Sequence, residues 1–283
     1  MRATVRPVTL KRLIELLDIV NKRKIEKKEF HEIINCSKNR GKEVIKEAER
    51  MGLVYKKESL MLSESGERFI KHVNREEWKN LSNILYDSSP HYNLLINFIK
   101  KESKNQGLTP EKILSEINSP KLKFNQVGVS VLLDWGERLG VIQKNVFERR
   151  FYSISNEHNY QRFKEKLFEK YQDFEKTKKY GMRKRYISIP KLREYVCELT
   201  NMERKRFDEY LNRLYFDNIG KMELSGAPLD TKTKNIDLGV KNIKKTEDGE
   251  ITSSKMSTTK LLDGITLDDN KKYYYISFFN IME

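Results

Sequence analysis

The run Ala48-Glu49-Arg50-Met51-Gly52-Leu53-Val54 returns 88 positions later as Gly136-Glu137-Arg138-Leu139-Gly140-Val141-Ile142. Each copy closes a helical pattern on a glycine and passes at once into β-favouring residues. A glycine at that place takes the left-handed conformation that stops a helix and turns the chain into a strand. A looser third copy runs from Phe207 to Leu224, where Phe207, Tyr210, Leu211, Leu214 and Asn218 keep helical spacing before Ile219-Gly220-Lys221-Met222. Such a chain is expected to fold as a series of similar small units. Its 283 residues allow two or three domains at about 100–200 residues each.

The first unit can be followed residue by residue. Leu10, Leu13, Ile14, Leu17 and Val20 form one apolar helical face, and a short helix is predicted from about Lys27 to Ile34. Ser37 can cap a third helix in which Val44, Ile45, Ala48 and Met51 face inward. Leu53 to Lys57 and Ser59 to Leu62 read as a β-hairpin turning at Glu58, and a last helix holds Phe69, Ile70 and Val73. In the second unit, Ser89-Pro90 and Thr109-Pro110 start helices near 91–102 and 110–118. A third helix follows with Phe124, Val127, Val131, Leu132, Trp135 and Leu139 as its expected buried stripe, before strands Val141–Lys144 and Arg150–Ile154.

The order helix, helix-turn-helix, hairpin, helix resembles the winged helix-turn-helix superfamily. The likeness is carried by Met51-Gly52-Leu53-Val54 and by Leu62-Ser63-Glu64-Ser65-Gly66-Glu67-Arg68-Phe69, which look like the recognition-helix exit and post-wing helix of many archaeal and bacterial regulators. It covers about residues 8–75. The fold class expected is mainly α with small β-hairpin wings, arranged as three tandem winged helix-turn-helix units. Their bounds are 1–85, 86–158 and 182–283, with an amphipathic linker helix at 159–181 and a wing insertion at about 225–271.

In the linker, Tyr160, Phe163, Leu167, Tyr171 and Phe174 make a short heptad seam. The seam serves either as packing on its own chain or as a homodimer contact. The third unit begins with a strand at Tyr186–Ile189 and a helix from Pro190 to Leu199. Thr200-Asn201-Met202-Glu203 then fits a capping box for the next helix. Lys221–Leu224 and Lys272–Phe279 read as wing strands, and the few apolar residues in Lys241–Lys260 predict a mobile segment between them.

Charge decides which units face a partner. The chain holds 56 Lys+Arg against 41 Asp+Glu, a formal +15. The excess divides as +7 in 1–85, +2 in 86–158, +6 in 159–220 and none in 221–283. A winged helix places its third helix against base edges in the major groove and its wing against phosphate. By that resemblance the first unit presents Ser37, Lys38, Asn39, Arg40, Lys42 and Lys46, with Lys56 and Lys57 on the wing. The third presents Asn201, Arg204, Lys205, Arg206 and Arg213, with Arg183-Lys184-Arg185 upstream as a phosphate clamp. Arg and Asn on such a helix can bond guanine and adenine edges. The nearly neutral second unit, with Asn125, Gln126, Ser130, Asp134 and Glu137 outward, is expected to bind protein or to space the others.

Other classes find little support. His31-Glu32-Ile33-Ile34-Asn35 lacks the final histidine of a zinc-protease motif, and no GxxxxGK[ST] or GxGxxG occurs. Glu26-Lys27-Lys28 fits the ExK element of some nucleases, a triplet expected by chance in so Lys/Glu-rich a chain. Cys36 and Cys197 form no metal-ligand spacing and no disulfide framework. No secretory or membrane-spanning segment is read, so a cytoplasmic protein with no cofactor and no metal is expected. The function expected is non-catalytic binding of double-stranded DNA, as a regulator or the DNA-reading subunit of a larger complex. The alternative is a winged-helix scaffold for protein assembly.

Overall fold

A computed structural model describes residues 5–119, 122–155, 157, 159–177, 186–226, 241–246, 250–255, 262–267 and 271–279. The protein is mainly helical with small antiparallel sheets of two or three strands. It divides into two compact units. The first comprises Met1–Lys101, Leu108–Gln143 and Lys241–Lys255; the second comprises Glu102–Gly107, Lys144–Val240 and Met256–Glu283.

In the first unit α1 (Leu10–Lys22) starts where the Thr9 hydroxyl accepts the Arg12 amide, and it buries Leu10, Leu13, Ile14, Leu16, Leu17 and Val20. Ile25 then bridges to Leu60, and α2 (Phe30–Ile33) and α3 (Lys38–Arg50) follow. β1 (Val54–Lys56) pairs with β2 (Leu60–Leu62), setting Tyr55 opposite Met61. Ser63 caps α4 (Glu64–Asn74), and α5 (Trp78–Ser88) packs on it through a face of Leu81, Ile84 and Leu85. The sequence reading stopped at α4, although those three residues have helical spacing. Next come α6 (Pro90–Glu102), α7 (Pro110–Ile117) and α8 (Gln126–Arg138), then β3 (Ile142–Asn145) and β4 (Arg150–Ser153). Phe124, Leu132, Trp135 and Leu139 of the expected stripe are buried, and Val129 and Leu133 take the places expected of Val127 and Val131. Val129, Leu132, Leu133 and Trp135 are buried, whereas Val127 is 55 % exposed. The Trp135 indole donates to the Val8 carbonyl at 3.0 Å.

The second unit is built from α9 (Tyr160–Lys176), β5 (Ile187–Ser188), α10 (Ile189–Thr200), α11 (Arg204–Asp217) and β6 (Met222–Ser225), with β9 (Ile265–Thr266), β10 (Lys272–Tyr273) and β11 (Tyr275–Phe278). β11 lies between β5 and β6, antiparallel to both, with Met222 opposite Phe278. The expected wing strands therefore do pair across the insertion. Phe163, Leu167 and Tyr171 of α9 are buried with Leu192, Val196, Phe207 and Leu211 in one core. Three of the five seam residues are thus covered by their own chain, and Tyr160 and Phe174 pack partly buried against the same core. The capping box also gives way. Thr200 ends α10 with its hydroxyl donating to Val196 O, while the residue preceding α11 is Glu203.

The insertion holds a further correction. β7 (Lys241–Lys245) and β8 (Ile251–Lys255) form an antiparallel hairpin that belongs to the first unit, β7 against α8 and β8 against α1. Buried Ile243 supplies the apolar anchor that the sparse composition hid.

One order of elements occurs three times: a helix, two further helices, then two strands. It is found in α1-α2-α3-β1-β2 and in α6-α7-α8-β3-β4, and more loosely in α9-α10-α11-β6-β11, where β5 follows α9 and β7 to β10 come between the last two strands. In the first, Ile25 adds a bridge to β2 after the opening helix, and in the third β5 pairs with β11 at the same point. The glycines that mark the repeat have positive φ in all three: Gly52 +66°, Gly140 +70° and Gly220 +85°. At Gly52 and Gly140 the next amide bonds back across the helix end, Leu53 to Ala48 and Val141 to Gly136, each at 3.0 Å. That bond requires the left-handed residue and satisfies a carbonyl left open by the helix end.

Candidate nucleic-acid interface

α3 begins where the Ser37 hydroxyl accepts the Arg40 amide at 3.3 Å. It lies close against α2 because Gly41 faces His31: a Cβ there would meet the His31 Cβ at 2.8 Å. Val44, Ile45 and Ala48 fill the inward side. The helix carries five basic and three acidic residues. Packing sorts them.

All three carboxylates are drawn away from the outer face. Glu47 is fully buried and accepts from Arg50, at 3.1 Å to Nε and again from Nη2, and from Arg6 at 3.4 Å. Arg6 also pairs with Glu43 at 2.8 Å, and Arg50 reaches the buried His91 ring at 3.2 Å. Glu49 is held by Lys27. Lys38, Asn39, Arg40, Lys42 and Lys46 are left exposed, and none of the four cations has a carboxylate partner among the described residues. At about 100° per residue, Asn39, Lys42 and Lys46 lie along one outward line of the helix.

The local electrostatics oppose this arrangement in the free protein. No acidic residue occupies the first turn of α3, so Lys38 and Arg40 sit at the positive end of the helix dipole. Cations placed there cost roughly 0.3–1 kcal/mol each, and an anion brought to them offsets that cost. Beyond Gly52 the β1–β2 hairpin adds exposed Lys56 and Lys57, with the Lys57 ammonium 5.9 Å above the half-exposed Tyr55 ring. The first unit therefore brings together Ser37, Lys38, Asn39, Arg40, Lys42 and Lys46 on one helix and Lys56 and Lys57 on the hairpin after it.

The second unit treats the residues expected to match them differently. Arg204 points inward: its Nε meets Glu194 at 2.5 Å and its Nη2 meets the Lys144 carbonyl at 2.6 Å. Burial opposes its charge, but the Glu194 carboxylate outweighs that and raises its pKa above the ordinary guanidinium value. Asn201 is the left-handed cap of α10, φ +54°, and its buried amide donates to the Ser103 and Ser153 carbonyls. Arg206 is paired with Glu209 at 2.7 Å and Arg213 with Asp217 at 3.6 Å. Only Lys205 of this group is both exposed and without a carboxylate partner among the described residues. Arg183, Lys184 and Arg185 lie outside the described residues.

Two buried carboxylates absent from the sequence-based expectation hold Arg204 and, beside it, Arg150. Glu194 and Glu198 stand one turn apart on the buried face of α10. Glu198 accepts from the Gly107 amide at 2.8 Å, from Arg150 at 2.6 Å and from Asn145. Glu194 also accepts the Val146 amide at 3.1 Å.

A cleft of about 470 Å³ runs along α1 and is lined by Lys11, Arg12, Glu15, Asp18 and Lys22 among others. Most of its charges are paired with one another, Arg12 with Glu15 and Lys22 with Asp18. Among the described residues no group of three or more His, Cys, Asp or Glu could hold a metal ion, and no helix is long and apolar enough to cross a membrane. No family model matches the chain, and neither a curated protein nor a solved structure matches it.

Proposed function

We propose that this is a cytoplasmic, non-catalytic protein that binds double-stranded DNA through tandem winged helix-turn-helix units, as a regulator or the DNA-reading subunit of a larger complex. The observation that carries this reading is the sorting of charge on α3. Three carboxylates are paired away from the outer face while Lys38, Arg40, Lys42 and Lys46 stay uncompensated around Asn39. The thrice-repeated order of helices and strands supports the winged-helix assignment. In this reading α3 enters the major groove, Asn39 faces base edges, and the lysines with wing Lys56 and Lys57 meet phosphate. The third winged helix is a secondary contact through Lys205 and the Arg183-Lys184-Arg185 segment, since Arg204, Arg206 and Arg213 are already paired.

A second reading, protein assembly, is favoured for the middle winged helix alone. Its third helix, α8, exposes Val127 beside Gln126 and Ser130, and its Asp134 and Arg138 pair with each other at 2.9 Å. Titrating a labelled duplex with wild type and with Lys42→Glu/Lys46→Glu tests the main reading. Loss of binding in the variant is expected, and equal binding by both proteins would show that α3 does not hold the DNA.

A further inference from the structure

The turn between β3 and β4 exposes an aromatic ring on a rigid mount. The Asn145 side-chain oxygen accepts the Phe147 and Glu148 amides at 3.0 and 3.2 Å, while the Asn145 amide group donates to buried Glu198. The Val146 amide is held by Glu194. Arg149 completes the turn in a left-handed conformation, φ +56°, unusual for a residue with a side chain. Phe147 on this mount is 41 % exposed.

Phe147 does not stand alone. It stacks on Tyr195 with centroids 6.5 Å apart and planes at 16°. Tyr195 in turn meets the edge of Phe174 at 5.1 Å, and the Lys191 ammonium sits 4.3 Å from the Phe174 centroid. The Tyr195 hydroxyl donates to Glu148, which occupies the nearest carboxylate, and Asp173 is paired with Lys170. Of the acidic residues at the ends of this row, only Glu175 lacks a partner among the described residues. Arg149 and Lys191 have no carboxylate partner among them either. A short row of rings ending in an exposed face, flanked by unmatched cations, has the composition of a site that stacks a base and meets its phosphates. An apolar peptide side chain would find one ring and a charged border.

We propose that Phe147, Tyr195 and Phe174, framed by Arg149 and Lys191, form a stacking platform for an unpaired nucleobase and its flanking phosphates. This site lies in the second unit, goes beyond duplex binding by α3, and does not depend on it. The test uses the full chain and a short single-stranded DNA carrying one 2-aminopurine, with the RNA counterpart as a second arm. Binding should quench the fluorescence, and the stronger arm identifies the sugar preferred. Phe147→Ala should weaken binding about tenfold and remove the quenching, whereas Phe147→Trp should keep both. Arg149→Ala/Lys191→Ala should weaken binding and reduce its salt dependence. Lys42→Glu/Lys46→Glu should leave the quenching intact. The proposal is overturned if neither strand binds at low salt, if Phe147→Ala binds and quenches like wild type, or if the α3 variant alone abolishes strand binding.

Discussion

Replacing Glu47 by alanine removes the carboxylate on which the placement of α3 rests. The side chain is fully buried, and its partners Arg6 and Arg50 have side chains only 13 % and 10 % exposed. Arg6 keeps Glu43, but Arg50 is left facing His91 with no carboxylate. Breaking a buried pair by deleting one partner costs about 3–5 kcal/mol because the remaining charge stays desolvated. Taking about 3 kcal/mol, since Arg6 retains a partner, the midpoint of the first unit should fall by about 6–12 °C. Thermal unfolding followed by circular dichroism and calorimetry measures this. Glu47→Met/Arg50→Met separates an unpaired charge from lost packing: removing both charges should recover most of the loss. A fall of less than about 2 °C in the single variant, or a double variant no more stable than the single, would refute the argument.

Three further perturbations have defined outcomes. Glu198→Ala strips the acceptor from the Gly107 amide, Asn145 and Arg150, and should destabilise the second unit by about 3–5 kcal/mol in urea titrations; a shift under about 1 kcal/mol contradicts the bolting of the β3–β4 turn to α10. On α8, Val129→Ala should cost about 2 kcal/mol while the charged change Val127→Glu stays within about 0.5 kcal/mol, and the reverse order would restore the stripe expected from sequence. Burial, with the Asp217 carboxylate beside it and accepting its hydroxyl, pushes the Tyr160 phenol up to about 12. The neutral phenol is the form favoured in the folded state, so its contribution is complete below the ordinary tyrosine pKa near 10 and lost as pH rises through about 12. Ultraviolet titration of Tyr160→Phe should lack this late step, and Asp217→Asn should move it to lower pH; an unchanged titration curve in both rejects the assignment.

The helix ends were the most legible part of the fold because their chemistry is local. Ser37 and Thr109 cap the helices they precede, as their sequence position implies, and the repeated glycines adopt the left-handed conformation. The paired fates of Lys42 and Arg204 mark where legibility ended. Both are cations on the last helix before a strand, α3 before β1 and α11 before β6. Lys42 stays outside because its neighbours Glu43 and Glu47 are taken by Arg6 and Arg50, whereas Arg204 is taken by Glu194, ten residues back on a different helix. Composition counts charges but not their partners, so +6 across 159–220 looked like a phosphate-facing surface until ion pairs consumed it. The β7–β8 hairpin failed for a related reason. Its buried anchor Ile243 is indistinguishable in sequence from an isolated isoleucine in a polar loop. The stripe on α8 shows the same limit: Val127 and Val131 match helical spacing as well as Val129 and Leu133 do, yet Val129 and Leu133 are buried while Val127 is exposed.

The salt dependence of duplex binding tests the central claim most directly, because it counts phosphates neutralised rather than contacts assumed. Fluorescence anisotropy of a labelled duplex should give a linear fall of log affinity with log salt, with a slope of roughly −0.9 for each neutralised phosphate. Lys42→Ala/Lys46→Ala should reduce the steepness by about 2, while Arg206→Ala/Arg213→Ala, which removes cations already paired, should leave it unchanged. A slope unaffected by the α3 pair and flattened by the α11 pair would contradict the account.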